Sequence, residues 1–533
     1  MTNKTDSEST SDSGRADGSP FPDETATSRE AKAIQARDSD NRTAADRARA
    51  TAAADAAAEL DRAAAVAEAV AELRRTMTAR SDLFDASPVL KHVATFADSR
   101  SAARYATLCG VLLHAVLAVP PQVVLPPIIG GEVSLNLLFA SVGVSGGGKG
   151  TADKASAAAC RMSVGGRFDV AQLPMIPVGT GEGLNRSYAV AHRDKHGSGK
   201  AVMTWHTDRA LFGVRDISTL SALNARKGAT LLPELLKAFM GEELGFANAE
   251  AERRVILPMH SYRLCLSAGV QPENGEVLLN DQARRDGVPQ RFLWAPVREG
   301  VARDRRRAAD GLVEPMTVIV PDFGADPFNT IEDDDTDPET GYNPAARPLI
   351  PMDVASEISQ TIIDADAAKD LDLFGRTSDP LAGHRLLTQL NVAAALAILH
   401  NETGVTAEHW ELAAGLIDVS TAVARVVEIE SGTAAERDAQ RQGQLDGTRR
   451  AAADTAADAA RLTTVRDRIV RYLTGRDDWV KSSDPRRALT SHLRRHYEDA
   501  ALSLEHEGII ESRTKVYNNS TYTEYRLTTA ARR

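Results

Sequence analysis

The stretch SLNLLFASVGVSGGGKGTADKASAAA, residues 134–159, decides how the chain is read. An apolar run from Leu135 to Val142 predicts a strand. The turn Gly143-Val144-Ser145-Gly146-Gly147-Gly148 follows, and the alanine-rich segment from Lys149 to Arg161 predicts a helix. Gly143-x4-Gly148-Lys149 has the spacing of a P-loop. Glycines let the backbone curl until successive N–H groups point at one anion, and a helix start adds the positive end of its dipole. Lys149 would supply a fixed charge for the β and γ phosphates of ATP. The pattern departs at one place. The residue after the lysine should offer a hydroxyl to Mg²⁺, yet it is Gly150. Either Thr151 or Ser145 takes that role, or the ion is held through water and an acidic residue. The departure bears on hydrolysis more than on nucleotide binding. An ordinary glycine-rich turn between strand and helix is the competing reading.

Outward from this loop, apolar runs alternate with helical patterns. Candidate strands are Val133–Val142, Met175–Val178, Val202–Trp205, Ala210–Val214, Arg263–Ala268, Phe292–Ala295 and Thr317–Val320, with a helix over Leu231–Met240. Such alternation predicts an α/β layer fold with a largely parallel sheet. The full chain of 533 residues is long enough for two or three domains. Residues 1–43 hold one branched aliphatic (Ile34) and one aromatic (Phe21), which predicts a disordered tail. Residues 44–86 are an alanine-rich helix and linker, with 16 alanines among residues 44–71. A helical N-terminal subdomain over 87–130, the loop-bearing core over 131–325 and an acidic loop over 326–350 come next. A helical, lid-like domain over 351–435, with Thr406 as an N-cap, leads through a 436–460 linker to a C-terminal unit, 461–533. Three scattered cysteines, Cys109, Cys160 and Cys265, argue against a disulfide scaffold or a zinc site and fit a reducing compartment. Neither a signal peptide nor an apolar run of ~20 residues is present, so a cytoplasmic protein without membrane contact is expected.

A nucleotide hydrolase needs a carboxylate at the end of a neighbouring strand, to hold Mg²⁺ or to orient water. Asp216, closing the run RALFGVRDISTL, is the best candidate, against a solvated strand-end aspartate. Glu182 in VGTGEGL is a second, against the ordinary preference of helix starts for acids. Gln271, at the end of HSYRLCLSAGVQPE, could sense the γ phosphate or simply cap its strand. Arg291 in GVPQRFLWAP, held just before an apolar strand, is placed to act as an arginine finger toward a neighbouring subunit, or to form a surface salt bridge. Arg253-Arg254 is a weaker finger candidate.

Taken together, SLNLLFASVGVSGGGKG, VGTGEGL, RALFGVRDISTL, LPELLKAFMGEELGF, HSYRLCLSAGVQPE, GVPQRFLWAP and VTAEHWELAAGLIDVS resemble a group of helicase-like P-loop ATPases. These occur in plasmids, prophages and integrative elements, often near primase–polymerase modules. The resemblance covers roughly residues 87 to 430. It implies a P-loop NTPase core of the AAA+ or RecA-like kind, a replication-associated ATPase acting on DNA, and a homo-oligomer such as a hexameric ring. It also implies a primase or polymerase partner. In motor ATPases of the AAA+ kind, a helical lid contributes an arginine to the nucleotide; Arg385, in the pair His384-Arg385, is the comparable site.

Against a chain net charge of −11, residues 461–533 carry 15 Lys and Arg and 10 Asp and Glu. The predicted order is helix (Val465–Leu473), helix (Pro485–His496), helix (Glu498–Glu507), then strands Ile509–Val516 and Thr521–Leu527 about an Asn518-Asn519 turn. Three helices and a hairpin is the order of a winged helix. Arg486, Arg487, Arg494, Arg495, Arg513 and Lys515 supply phosphate-seeking charge for DNA. The third helix, YEDAALSLEHEG, is acidic, which keeps a protein-docking role open. The sequence therefore supports an ATP-dependent, helicase-like DNA motor, with a nucleotide-binding replication initiator or regulator that switches without translocating as the alternative.

Overall fold

The fold is given by a computed structural model that describes residues 26–170, 172–193, 201–225, 229–246, 255–300, 312–324, 343–371, 384–517 and 520–532. Two units make up the chain, Met1–Glu430 and Ser431–Arg533.

In the first unit five strands form a parallel sheet: β1 (Leu137–Val142), β2 (Met175–Pro177), β3 (Arg209–Val214), β4 (Arg263–Val270) and β5 (Phe292–Pro296). Their order is β5-β1-β4-β3-β2. Every residue of β1 and β4 is buried, which is why both read as mainly apolar runs rather than alternating ones. Helix α1 (Arg104–Leu117) and helix α2 (Lys149–Ala159) pack together beside the sheet. Nearly all of α1 is buried, as expected of a helix that is apolar on every side. The two helices meet at Gly110, where a Cβ would stand 2.4 Å from the Ser156 hydroxyl.

Several sequence expectations change here. The run Val133–Val142 is two strands, not one. Val133–Ser134 pairs antiparallel with Val123–Leu125 in a separate sheet, while β1 enters the parallel sheet. Asn136 is the cause. Fully buried between the two strands, it donates from its amide nitrogen to the Ala238 carbonyl at 2.6 Å and accepts from the Leu264 N–H at 2.9 Å. Ala201–Trp205 forms an antiparallel pair with Ala189–Arg193, and Met316–Val320 pairs with Cys160–Val164 outside the main sheet. The helices over 87–130 and 351–435, expected as separate domains, share one apolar core with the sheet, running from Leu73 to Val427. Helix Ala26–Ala79 starts well before residue 44, because its Ala, Arg, Glu and Gln residues are all strong helix formers. Residues 1–25 lie outside the described residues, as do 326–342 of the acidic loop. The expected linker over 436–460 is part of helix Ala407–Leu473. Thr406 caps that helix, as expected: its carbonyl accepts from the Trp410 N–H and its hydroxyl meets the His409 ring. No described helix is long and apolar enough to cross a membrane.

The second unit has its own small core, built from Val465, Ile469, Leu493, Tyr497, Leu504 and Leu527 with their neighbours. Strands Ile510–Tyr517 and Ser520–Leu527 form an antiparallel hairpin, joined by Val480–Lys481 as a third strand. The Asn518-Asn519 turn lies outside the described residues. The expected helix Pro485–His496 is shortened to Ser483–Arg487 and a turn at Arg494–His496. Arg494 accounts for this. Its guanidinium donates to the Leu489 carbonyl at 3.0 Å and the Arg487 carbonyl at 3.3 Å, which closes a turn where the helix would have continued.

Asn136→Ala removes the partners of one buried carbonyl and one buried N–H. At about 1–3 kcal/mol for each unsatisfied group, the first unit should lose about 2–6 kcal/mol of stability. A urea titration checks this; an unchanged midpoint would mean that Asn136 is not what divides the strands.

Candidate functional site at the glycine-rich loop

The chain leaves β1 at Val142, turns through the glycines and starts α2 at Lys149. Gly148, the residue before the helix, has φ +113°, and Gly146 has φ +70°, a region that side chains rarely allow. A Cβ on Gly147 would stand 2.8 Å from the Val144 carbonyl oxygen, so the loop closes on itself there. The first turn of α2 leaves the N–H groups of Lys149 and Gly150 without an intrahelical carbonyl, while the Thr151 and Ala152 N–H groups donate to the Gly148 carbonyl, both at 3.0 Å; α2 is long enough to carry a dipole. Ser145, Gly146, Gly150 and Thr151 are exposed. An anion seated in the loop would meet backbone donors and Lys149 together.

The sheet places the loop at a branch point. From β1 the chain goes toward β2 on one side, and from β4 it goes past β1 to β5 on the other. Neighbouring parallel strands whose connections diverge leave a crevice at their carboxyl ends, where ligands bind in open α/β sheets. The loop fills the end of β1, with the Gly143 N–H donating to the Val270 carbonyl of β4 at 2.9 Å.

Three of the sequence candidates meet there. Gln271, just past β4, donates to the Asp216 carboxylate at 3.1 Å, and Asp216 directly follows Arg215 at the end of β3. Lys149 donates to the Gly143 and Val144 carbonyls at 2.7 and 3.3 Å. Its stem passes Gly269 of β4, where a Cβ would stand 3.2 Å from Lys149 Cδ and 2.4 Å from the Arg215 carbonyl oxygen. Asp216 also caps helix Ile217–Asn224. The Ser218 N–H and then its hydroxyl hold the Asp216 carboxyl below the usual carboxylate range, with the charge of Lys149 acting in the same direction. The site thus offers an anion seat, a fixed cation and an ionised, half-buried carboxylate.

Sequence reasoning missed Gly269, Asn274 and Ser218. Asn274 donates to Gln271 at 3.1 Å and sets the orientation of that amide. A glycine near the end of an apolar strand was the one signal that could have pointed to Gly269.

The remaining candidates lie elsewhere. Glu182 sits exposed at the start of helix Gly181–Arg186, beyond β2 at the edge of the sheet. Three strand spacings separate β2 from β1, roughly 14 Å. Arg291 precedes β5, where Phe292 pairs with Leu138, so it lies at the opposite end of the strands from the loop, roughly 16 Å away along β1. Its guanidinium donates to the Asp286 and Gly287 carbonyls at 2.9 and 2.8 Å and meets His384 at 2.8 Å. Arg385 was expected at the nucleotide. Instead it ion-pairs with Asp418 at 3.0 Å, and its helix is tied by Thr388 to the Gln290 carbonyl, beside Arg291. That is the wrong end of the sheet for Arg385 to reach the loop of its own chain. Arg253-Arg254 lies outside the described residues. In the second unit, Arg486 faces Glu498, Arg495 faces Asp458, and Arg513 and Lys515 share Glu524. Arg487 is exposed.

No protein-family model matches the chain, and no curated protein is significantly similar to it.

Burial, and then the charges of Arg291 and Lys369, push His384 from 6.5 down to about 4. Between these values the unfolded chain takes up a proton that the folded chain refuses, so stability falls as pH drops from 6.5 to 4. His384→Gln should flatten that decline by up to one proton. Denaturation curves across this window check it, and identical slopes for both proteins would contradict the burial of His384 against Arg291.

Proposed function

We propose that the first unit is a P-loop ATPase core and that the chain is an ATP-dependent, helicase-like motor acting on DNA. The observation that carries this is the meeting of Lys149, Asp216 and Gln271 around a glycine-rich loop that opens a helix, at the divergence point of a parallel sheet. In this reading Gly143, Gly146, Gly147 and Gly148 wrap the phosphates, Lys149 neutralises the β and γ oxygens, and Gln271 senses the γ position. Asp216 orients water or holds Mg²⁺.

Mg²⁺ binds through one or two carboxylates plus substrate phosphates and keeps several waters, so one ionised and accessible acid, Asp216, suits it. Thr151 and Ser145, both exposed, offer the hydroxyls available from the loop and the first turn of α2. When bound, the ion would offset charge on the phosphate oxygens. Gly150 removes the usual hydroxyl and favours the second reading, a nucleotide-dependent switch that does not translocate. ATP turnover with and without single-stranded DNA separates the two. The motor reading expects turnover that DNA accelerates and that Lys149→Ala abolishes; equal rates in wild type and Lys149→Ala would refute the P-loop reading.

The distance of Arg291 from its own loop supports a role in trans, on the nucleotide of an adjacent copy in a ring. To act there the side chain must leave the Asp286 and Gly287 carbonyls. A trans finger contributes ~10³-fold or more in rate. Arg291→Ala should therefore bind ATP but hydrolyse it poorly, and mixing it with Lys149→Ala subunits should restore part of the activity. No recovery in mixed assemblies that do form would make Arg291 structural.

For the second unit, helices followed by a hairpin support a winged helix. Exposed Arg487 is the best placed to reach DNA phosphates, whereas Arg486, Arg494, Arg495, Arg513 and Lys515 would first have to leave their internal partners.

A further inference from the structure

Between helices α1 and α2 and the sheet lies a half-open cavity of about 250 Å³. Leu113, Leu173, Met175 and Leu211 make its walls mainly apolar, and Asp153 and His114 line it from the two helices. Among the described residues, Asp153 is the one of formal charge in this lining, which holds no Lys or Arg. Its Oδ1 accepts from the Ser267 hydroxyl at 3.0 Å; among the described residues nothing donates to its Oδ2. The His114 ring makes no hydrogen bond among the described residues either. Burial pushes His114 down to about 4, so the ring is neutral near pH 7 and one nitrogen is an acceptor. Two groups that can accept hydrogen bonds, the Asp153 carboxylate and the neutral His114 ring, therefore line an apolar space of single-ring size whose described lining holds no Lys or Arg.

Burial also raises the Asp153 carboxyl, against the hydrogen bond from Ser267 and the charge of Arg215. A carboxylate in such a place is stabilised by any positive charge that reaches it. Lys149 lies one turn earlier on α2, but its ammonium is held by the loop carbonyls.

We propose that this cavity binds a compact organic cation with N–H donors, an amine or an amidine, that donates to Asp153 Oδ2 and to the His114 ring. The site is distinct from the glycine-rich loop and does not depend on the nucleotide reading. A few apolar walls with a small number of convergent polar groups is the general make-up of a small-molecule site. Water alone could satisfy the same two groups, and the test separates that case.

Benzamidine and its uncharged analogue benzamide are titrated into the full chain by calorimetry without nucleotide. Saturable 1:1 binding of benzamidine is expected, with benzamide about tenfold weaker or worse, since it offers no charge to Asp153. Asp153→Asn and the cavity-filling Ala157→Met should each weaken benzamidine about tenfold or more. Absence of saturation overturns the proposal. So does equal affinity for the two compounds, or a benzamidine affinity that neither variant changes. The comparison of the two compounds on wild type decides the matter if a variant does not fold.

Discussion

No side chain fits at Gly269, and the geometry of the first unit follows from that. The Arg215 carbonyl and the stem of Lys149 both press on the place where a Cβ would be. This close approach brings the ends of β3 and β4 together, so that Asp216 reaches Gln271. It also lets the lysine lie across β4 without spreading the sheet. A larger residue would have to move backbone rather than a flexible side chain, and overpacking of that kind costs about 1–3 kcal/mol. The glycines of the loop itself have a different task, since two of them adopt φ values that favour glycine.

Much of the sheet is legible because buried parallel strands leave mainly apolar runs, and each of the five strands falls within one. What failed was the assignment of strands to sheets. Within Val133–Val142 the polar Asn136 does not by itself show that the chain turns there, because that residue acts through partners more than 100 positions away. The glycine-rich loop was legible from spacing alone, and so was Asp216, as an acid closing an apolar run. The place of Arg385 was not. Its helix belongs with the segment before β5, a contact between residues about 100 positions apart that only the fold reveals. Helix Pro485–His496 was misjudged for a more local reason, the capture of backbone carbonyls by the Arg494 side chain.

Charge is used mainly within the fold. Asp418 holds both Arg80 and Arg385, and Glu428 holds both Arg284 and Arg425, on the same side of the first unit as Arg291. In the second unit Arg513 and Arg526 both lie over the Trp479 ring, 4.3 and 4.6 Å from its centroid, while pairing with Glu524 and Glu511. A count of arginines therefore overstates the charge free to meet a polyanion. Lys149 differs: it is held by carbonyl oxygens rather than by a carboxylate, so a phosphate can take their place without breaking an ion pair.

The central claim is that the loop from Gly143 to Thr151 seats a nucleoside triphosphate. Calorimetric titration of Mg²⁺–ATP into the full chain tests it most directly, because binding is read without any assumption about hydrolysis. One saturable site per chain, competed by ADP and lost when Gly148 is replaced by Val, is the predicted result. Heat that never saturates up to millimolar ATP, or a site that survives Gly148→Val in a folded protein, would contradict it.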